Sequence, residues 1–139
     1  MKNESELLSL ALDAAHRAYS PYSRFCVGAA LVTKEGSIYT GCNIENASYP
    51  VTICAERVAF SAAVAAGERG FTAIAIFGGR QEDVAAGNVN GECPPCGLCR
   101  QFMAEFCGPD FKVILGAPEE YSVYTLSELL PHSFGKGSM

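Results

Sequence analysis

The sequence predicts an α/β protein: a three-layer α/β/α sandwich with a five-stranded mixed sheet covered by helices on both faces. The first observation is that strand and helix patterns follow one another in the order α-β-β-α-β-α-β-β, with a short terminal helix. The second is a length of 139 residues, with 49% hydrophobic and 18% charged, which suits one packed core. Because no repeat, linker or low-complexity stretch interrupts the chain, we expect a single domain over residues 1–139.

The first half of the chain is predicted to form a helix, a hairpin and a second helix. Apolar residues at three- and four-residue spacing indicate the first helix, with Ser5 as its N-cap. Two strand patterns flank a turn that contains Gly36, which is typical of a hairpin with antiparallel strands. The predicted elements are a helix over Ser5–Tyr19, strands over Phe25–Thr33 and Ser37–Asn43, and a buried helix over Thr52–Ala66.

The second half alternates strands with helices. Its first strand is an apolar run that stops at Gly78-Gly79. The segment Arg80–Cys93 contains Gly87, Asn90 and Gly91 and therefore predicts a long loop. The predicted elements are strands over Phe71–Phe77, Lys112–Ala117 and Ser122–Thr125, helices over Cys96–Phe106 and Ser127–Leu130, and a tail over residues 131–139.

The charge balance argues against a long polyanionic partner. The chain carries 15 acidic and 10 basic residues, a net charge of −5, whereas polyanion binding draws on clustered Lys and Arg. No apolar run approaches the roughly 18 residues of a membrane span. Residues 1–6 are acidic where a signal peptide is basic and then apolar. We therefore expect a cytoplasmic protein that binds neither a membrane nor a nucleic acid polymer.

The chain contains seven cysteines, and this odd number, the size of the chain and the lack of an export signal argue against a disulfide framework. Metal binding, catalysis and burial remain open for them. Cys26, Cys42 and Cys107 lie in apolar stretches and are expected to be buried thiols. The other four lie in two motifs, Cys54-Ala55-Glu56-Arg57 and Cys93-Pro94-Pro95-Cys96-Gly97-Leu98-Cys99-Arg100.

Each of these motifs lies at the start of a predicted helix, where free N–H groups and the helix dipole favour thiolates. Three thiolates from two helix starts leave one tetrahedral position of a zinc ion open, which is the catalytic pattern. Two C-x-x-C pairs compete for the metal. Because Pro94-Pro95 cannot donate N–H groups to sulfur, we favour Cys96 and Cys99 as the ligands. Cys93 is interpreted as a bystander, with metal ligation or redox pairing as the alternatives.

Glu56 and Arg57 follow the first cysteine directly. A carboxylate beside a metal site can move protons between water and substrate, although a solvated helix carboxylate is the ordinary alternative. Three thiolates on a divalent ion leave a charge of −1, and a guanidinium beside the sulfurs would offset it. A surface salt bridge is the alternative for Arg57.

The motifs match the H-x-E…P-C-x-x-C pattern of zinc deaminases, with Cys54 in place of the histidine. This variant resembles the small homotetrameric zinc-dependent cytidine deaminases of the cytidine/deoxycytidylate deaminase superfamily. The resemblance covers nearly the whole chain. It rests on Tyr19-Ser20-Pro21-Tyr22-Ser23, Phe25, Val27-Gly28-Ala29-Ala30, Gly41-Cys42-Asn43-Ile44-Glu45-Asn46-Ala47, Cys54-Ala55-Glu56-Arg57, Pro95-Cys96-Gly97, Cys99-Arg100-Gln101, Glu105-Phe106, Leu129-Leu130-Pro131 and Ser133-Phe134-Gly135.

The resemblance implies hydrolysis of cytidine and deoxycytidine to uridine and deoxyuridine plus ammonia, in pyrimidine salvage. It implies one zinc per chain, zinc-bound hydroxide that attacks C4, and Glu56 as proton shuttle. The alternative is a deaminase of a related nucleoside or analogue on the same fold, such as a blasticidin S or purine deaminase. A polynucleotide-editing enzyme and a non-catalytic zinc or redox module are more distant alternatives.

The resemblance also implies substrate contacts and a homotetramer with shared active sites. An amide and a carboxylate two residues apart, Asn43 and Glu45, resemble a pair that binds the ribose 3′-hydroxyl, with turn chemistry as the alternative. Phe25 resembles a ring that packs on the pyrimidine, with core packing as the alternative. For Phe134, which would reach a neighbouring subunit, folding back on its own subunit is the alternative. The implied contacts are Phe25, Asn43, Glu45, Ala47, Tyr49, Ala55 and Phe134, with Arg57 behind the sulfurs.

Overall fold

The structure, a computed structural model, describes residues 2–88 and 91–139; Met1 of the acidic N-terminal segment and Asn90 of the predicted loop lie outside them. The strands are β1 (Phe25–Thr33), β2 (Ile38–Cys42), β3 (Phe71–Arg80), β4 (Lys112–Ala117) and β5 (Glu120–Thr125). The α-helices are α1 (Glu4–Ala15), α2 (Ala55–Ala65), α3 (Gln81–Ala86), α4 (Gly97–Phe106) and α5 (Leu126–Leu129), and short 3₁₀ turns cover Tyr49–Val51 and Lys136–Ser138.

The strands form one five-stranded sheet in the order β2-β1-β3-β4-β5, which confirms the predicted mixed sheet. β1 pairs antiparallel with β2 through the predicted hairpin, and also antiparallel with β3 on its other side. β3 and β4 are parallel, joined through α3 and α4, and β4 and β5 are antiparallel. The hairpin prediction therefore accounts for one of several antiparallel pairings.

Helices cover both faces of the sheet, as predicted. On one face α1 packs through Leu7, Leu8 and Ala11, and α3 adds Val84 at the end of the same layer. On the other face α2, α4 and α5 pack around Phe60, whose ring lies 5.1 Å from that of Phe71. This second layer carries the two cysteine motifs.

Helix α1 begins and ends earlier than predicted. Ser5 is not its N-cap, because Asn3 and Glu6 form a reciprocal capping box with N···O distances of 2.9 Å. The Ser5 hydroxyl donates instead to the carbonyl of Pro118 at 2.7 Å. The helix ends at Ala15, because the chain turns so that Tyr19 can pair with Ile44 in an isolated bridge.

The predicted end of β3 is wrong, and the loop predicted after it is wrong over residues 80–86. β3 continues through Gly78-Gly79 to Arg80 because β1 opposite it begins at Phe25, which pairs with Arg80. Residues 81–86 then form α3, whose buried Val84 packs against the sheet. Gly87 ends this helix at a φ of 82°, a conformation that favours glycine.

The C-terminal part contains smaller shifts. β5 begins at Glu120 rather than Ser122, since it pairs with β4 over the full length from Lys112 to Ala117. α5 begins one residue early, because Thr125 and Glu128 form a capping box at its start. The tail after Pro131 also contains a short 3₁₀ turn.

Gly41 on β2 sets the position of α2. A Cβ at this residue would lie 2.5 Å from the carbonyl oxygen of Ala55 and 2.6 Å from the nitrogen of Ala59. The absence of a side chain therefore lets the first turn of α2 lie directly on the strand. This close approach fixes the residues that begin α2, where the first cysteine motif lies.

Candidate metal centre and active site

The two cysteine motifs meet where α2 and α4 begin. Cys54 is the N-cap residue of α2 and Cys96 is the N-cap residue of α4, while Cys99 lies buried in the first turn of α4. α2 begins at Ala55 rather than at the predicted Thr52, because residues 49–51 form a 3₁₀ turn and Ile53 pairs with Ile44. Cys54 is thereby placed at a helix N-terminus rather than within the helix.

The three sulfurs of Cys54, Cys96 and Cys99 lie within 4.8 Å of one another. Those of Cys54 and Cys96 are 3.7 Å apart. A Zn–S distance of about 2.3 Å with tetrahedral angles places two sulfurs roughly 3.8 Å apart. The donor set therefore fits zinc with one coordination position left for water or substrate. Cys93 is not part of this cluster, in line with the choice of Cys96 and Cys99.

The cluster is built to carry negative charge. A hydrogen bond from Cys99, followed by contacts from Arg57 and Cys96, lowers the pKa of Cys54 to about 5. Donating that hydrogen bond raises the pKa of Cys99. The cluster therefore presents at least one thiolate at neutral pH, which is the form of cysteine that binds zinc.

Arg57 lies against the sulfurs, in the first turn of α2. Its Nη2 donates to the carbonyl of Thr52 at 3.3 Å and to the sulfur of Cys54 at 3.8 Å. Its buried Nε has no hydrogen-bond partner among the described residues. Burial lowers the pKa of Arg57, but the contacts with Cys54 and Cys99 outweigh it and raise the pKa. The guanidinium thus lies against the Cys54 sulfur, and it forms no salt bridge with any described residue.

Glu56 is buried beside the cluster, with 4% of its surface exposed. Burial raises the pKa of this carboxyl to about 7; the charge of Cys54 adds to the rise, and its own backbone N–H and Arg57 oppose it. A carboxyl with a pKa near neutrality can both accept and return a proton. The geometry therefore favours the proton-transfer interpretation over a solvated helix carboxylate.

Asn43 is buried and ties β2 to the start of β1. Its Oδ1 accepts from the backbone N–H of Val27 at 2.9 Å, and its Nδ2 donates to the carbonyl of Phe25 at 2.8 Å. These bonds occupy one proton of the amide and leave the second available. Phe25 itself is 37% exposed, so its ring is not part of the core.

Glu45 lies in a surface depression that is lined by Tyr22, Ser23, Tyr49 and Thr52. Its carboxylate accepts from the backbone N–H groups of Tyr22 and Ser23 at 3.0 and 3.2 Å and from the Ser23 hydroxyl. Partial desolvation raises the pKa of Glu45, but these hydrogen bonds outweigh it and hold the pKa below its usual value. The carboxylate is thus ionised and held in one orientation, and it can accept a hydrogen bond from a further hydroxyl group.

The remaining predicted contacts divide into buried and exposed residues. Ala55 is fully buried in the first turn of α2, next to Glu56. Ala47, Tyr49 and Phe134 are exposed, with 70% of Tyr49 and 60% of Phe134 accessible. Gln101 Nε2 donates a hydrogen bond to the backbone carbonyl of Phe134 at 2.9 Å, while the Phe134 side chain is exposed to solvent.

The cysteines outside the cluster differ in burial. Cys26 is buried as expected, whereas Cys42 and Cys107 are only half-buried, because each lies at the end of a strand or helix. Cys93 is half-buried near the site; burial, and then the charges of Glu56, Cys54 and Cys96, raise its pKa to about 11. Its thiol therefore stays protonated at neutral pH.

Arg100 is a site residue to which the sequence argument gave no role. Its Nε donates to the carbonyl of Pro95 at 2.8 Å, and its Nη1 donates to the carbonyl of Leu129 at 2.6 Å. Because Pro95 directly precedes Cys96, this side chain joins the metal-site loop to the end of α5. The sequence did contain a signal for this role, because Arg100 is a charged residue next to Cys99 on an otherwise apolar helix face.

The fold and the cysteine cluster together define a class, the zinc-dependent deaminases. The model of the family described as the cytidine and deoxycytidylate deaminase zinc-binding region matches residues 1–116. The chain therefore belongs to this family, and the resemblance drawn from its motifs is confirmed.

Within the zinc-dependent deaminases, the proteins most relevant for comparison are cytidine deaminases. The chain is 48% identical over 129 residues to the cytidine deaminase of Halalkalibacterium halodurans, which covers 92% of this chain and 91% of that protein. It is 42% identical over 132 residues to the cytidine deaminase of Sporosarcina psychrophila, covering 94% and 90%. Among solved structures, cytidine deaminase from Burkholderia pseudomallei matches with a TM-score of 0.84 and 42% identity, covering 96% of this chain and 100% of that one.

Proposed function

We propose that this chain is a zinc-dependent cytidine deaminase that converts cytidine and deoxycytidine to uridine and deoxyuridine with release of ammonia. The observation that carries the proposal is the buried Glu56 beside three convergent cysteine sulfurs. A structural zinc site is usually closed by four protein ligands and needs no buried acid. Relatives that are 48% and 42% identical over most of their length carry this activity in their names.

In this proposal Cys54, Cys96 and Cys99 hold one zinc ion. When bound, zinc supplies a Lewis acid that activates water for attack on C4 of the pyrimidine. Glu56 would accept a proton from the attacking water and deliver it to N3 of the base. It would then take the proton of the new C4 hydroxyl group and pass it to the amine, so that ammonia leaves as the C4 carbonyl forms. Burial raises the pKa of this carboxyl to about 7, which suits a group that both accepts and returns a proton. Arg57 offsets the negative charge of the three thiolates.

The substrate contacts follow from what each side chain offers. Glu45 is an oriented carboxylate that lines a surface depression, and Asn43 keeps one amide proton that no described residue accepts, so together they suit a ribose hydroxyl. Phe25 offers an exposed ring face to the base. Ala55 brings a helix-terminal backbone N–H to the Watson–Crick edge, next to Glu56.

We also propose that the active form is a homotetramer with shared sites. Tyr49 and Phe134 are largely exposed, although large aromatic side chains usually need a partner surface. In the tetramer, Ala47 and Tyr49 would reach the 5′ end of a substrate in a neighbouring subunit, and Phe134 would pack on a base there. Light scattering of the zinc-loaded protein tests this, with a mass near four times 14.7 kDa expected.

Residues 1–139 are proposed to form one domain, which is supported by a single sheet that both helix layers share. Among the described residues, every helix is too short or too polar to cross a lipid bilayer. We propose a cytoplasmic location, since zinc-binding thiols must stay reduced and a reducing compartment keeps them so.

The activity is tested by incubating zinc-loaded protein with cytidine, deoxycytidine and, separately, blasticidin S. We expect uridine or deoxyuridine with an equal amount of ammonia, loss of turnover after chelation, and recovery when zinc returns. Turnover of blasticidin S alone would favour the analogue deaminase. A zinc-loaded protein that turns over none of these compounds would indicate a non-catalytic module.

A further inference from the structure

Cys93 is a side chain of the second motif that neither the metal cluster nor the proton pathway uses. It lies half-buried against Gly78, near the end of β3. A Cβ on Gly78 would lie 2.5 Å from the Cβ of Cys93 and 2.6 Å from its sulfur. The thiol therefore occupies the space that a side chain at residue 78 would fill.

Phe25 reaches the same point from the neighbouring strand. It pairs with Arg80 in the antiparallel β1–β3 register, so Gly78, two residues earlier, lies on the same face of the sheet. The Cε2 atom of the Phe25 ring would lie 3.1 Å from a Cβ on Gly78. The thiol and the ring thus converge over one glycine, on the sheet face that carries α2 and α4.

We propose that Cys93 is a positioning residue for substrate binding: its side chain fills the space over Gly78 and holds the Phe25 ring where it contacts the pyrimidine. The inference rests on the proposed function, since it assumes that Phe25 contacts the base. A neutral thiol acts here as a small apolar group, which suits a packing role rather than a nucleophilic one.

The geometry restricts what residue 93 can be. Alanine would leave a space the size of one sulfur beside the ring, and the ring could move into it. Valine also fills the space with apolar atoms, at a volume larger by about one methyl group, and is expected to keep the ring in place. A Cβ added at Gly78 would clash with Cys93 and displace the Phe25 ring as well.

The test is a double-mutant cycle on the zinc-loaded protein with cytidine as substrate. Cys93→Ala is expected to raise KM about three- to tenfold with little change in kcat, and Cys93→Val to restore the wild-type KM. Phe25→Ala is expected to raise KM about tenfold or more. In the Phe25→Ala background, Cys93→Ala should have no further effect on KM. Zinc content, measured by atomic absorption, should be unchanged in all four variants.

Cys107→Ala is the matched control, because Cys107 is also a half-buried thiol but lies at the far end of α4. Its KM should equal that of the wild type. Multiplicative effects of Cys93→Ala and Phe25→Ala on KM, or loss of zinc in Cys93→Ala, would overturn the inference while leaving the proposed function intact. No cytidine turnover by the wild type would instead contradict the function itself.

Discussion

The replacement Arg100→Gln tests how the metal-site loop is held. The guanidinium donates to the carbonyl of Pro95 at 2.8 Å and to that of Leu129 at 2.6 Å. Glutamine is too short and lacks the fork needed to reach both carbonyls. The loop that ends in Cys96 would then lose its connection to the end of α5.

The size of the effect follows from the two hydrogen bonds. A hydrogen bond from a charged group is worth about 1.5–3 kcal/mol when buried, and Arg100 is only half-buried. Taking the lower end for each bond, we expect a loss of about 2–3 kcal/mol in the free energy of unfolding. For a chain of this length, that corresponds to a decrease of roughly 5–10 °C in Tm.

The control is Arg69→Gln. Arg69 also donates to two backbone carbonyls, those of Val64 and Glu68, at 2.9 and 2.8 Å, but it is exposed and lies after α2, away from the cysteine cluster. We expect less than about 1 kcal/mol of destabilisation there. Tm by calorimetry and zinc release to a colorimetric chelator are measured on both variants. Equal Tm loss, or zinc release from Arg100→Gln at the wild-type rate, would refute the reasoning.

Three further predictions concern the site. Cys99→Ser should abolish zinc binding, measured by metal analysis of purified protein, whereas Cys93→Ser should retain one zinc per chain; equal zinc loss would point to the other C-x-x-C pair. Arg57→Gln removes a positive charge beside the sulfurs, which raises the pKa of nearby acids, so the acid limb of the pH–rate profile should move to higher pH; an unmoved limb would leave Arg57 a purely structural role. Phe134→Ala should raise KM for cytidine several-fold at constant zinc content, and a wild-type KM would remove Phe134 from the substrate site.

Periodicity and motif spacing predicted the sheet, the main helices and the cysteine cluster. The reason is that both depend on local patterns: apolar spacing places a helix, and a cysteine followed by a helix pattern places a thiol at an N-terminus. Cys96 is an N-cap at the predicted start of its helix, whereas Cys54 becomes an N-cap because residues 49–51 form a separate turn before α2. Glu56 was identified as a candidate proton carrier from its place beside Cys54, and the structure adds that it is buried.

The parts that the sequence did not predict depend on partners that are distant in the chain. β3 passes through Gly78-Gly79 because β1 lies opposite, which overrides the glycine signal for a strand end. Helix α3 forms because Val84 packs against the sheet and is buried there. Arg100 donates to the carbonyl of Leu129, and Cys93 lies over Gly78. Each pair is distant in sequence, so no local pattern predicts the contact.

The central claim, that Glu56 moves protons at a three-cysteine zinc site, is tested most directly by Glu56→Gln. The isosteric amide keeps the shape of the buried side chain but cannot transfer a proton. The measurement is kcat for cytidine deamination together with zinc content on the same samples. We predict one zinc per chain in both proteins and a kcat that is about 10²–10⁴-fold lower in the variant. A zinc-loaded Glu56→Gln protein with kcat within tenfold of the wild type would contradict the claim.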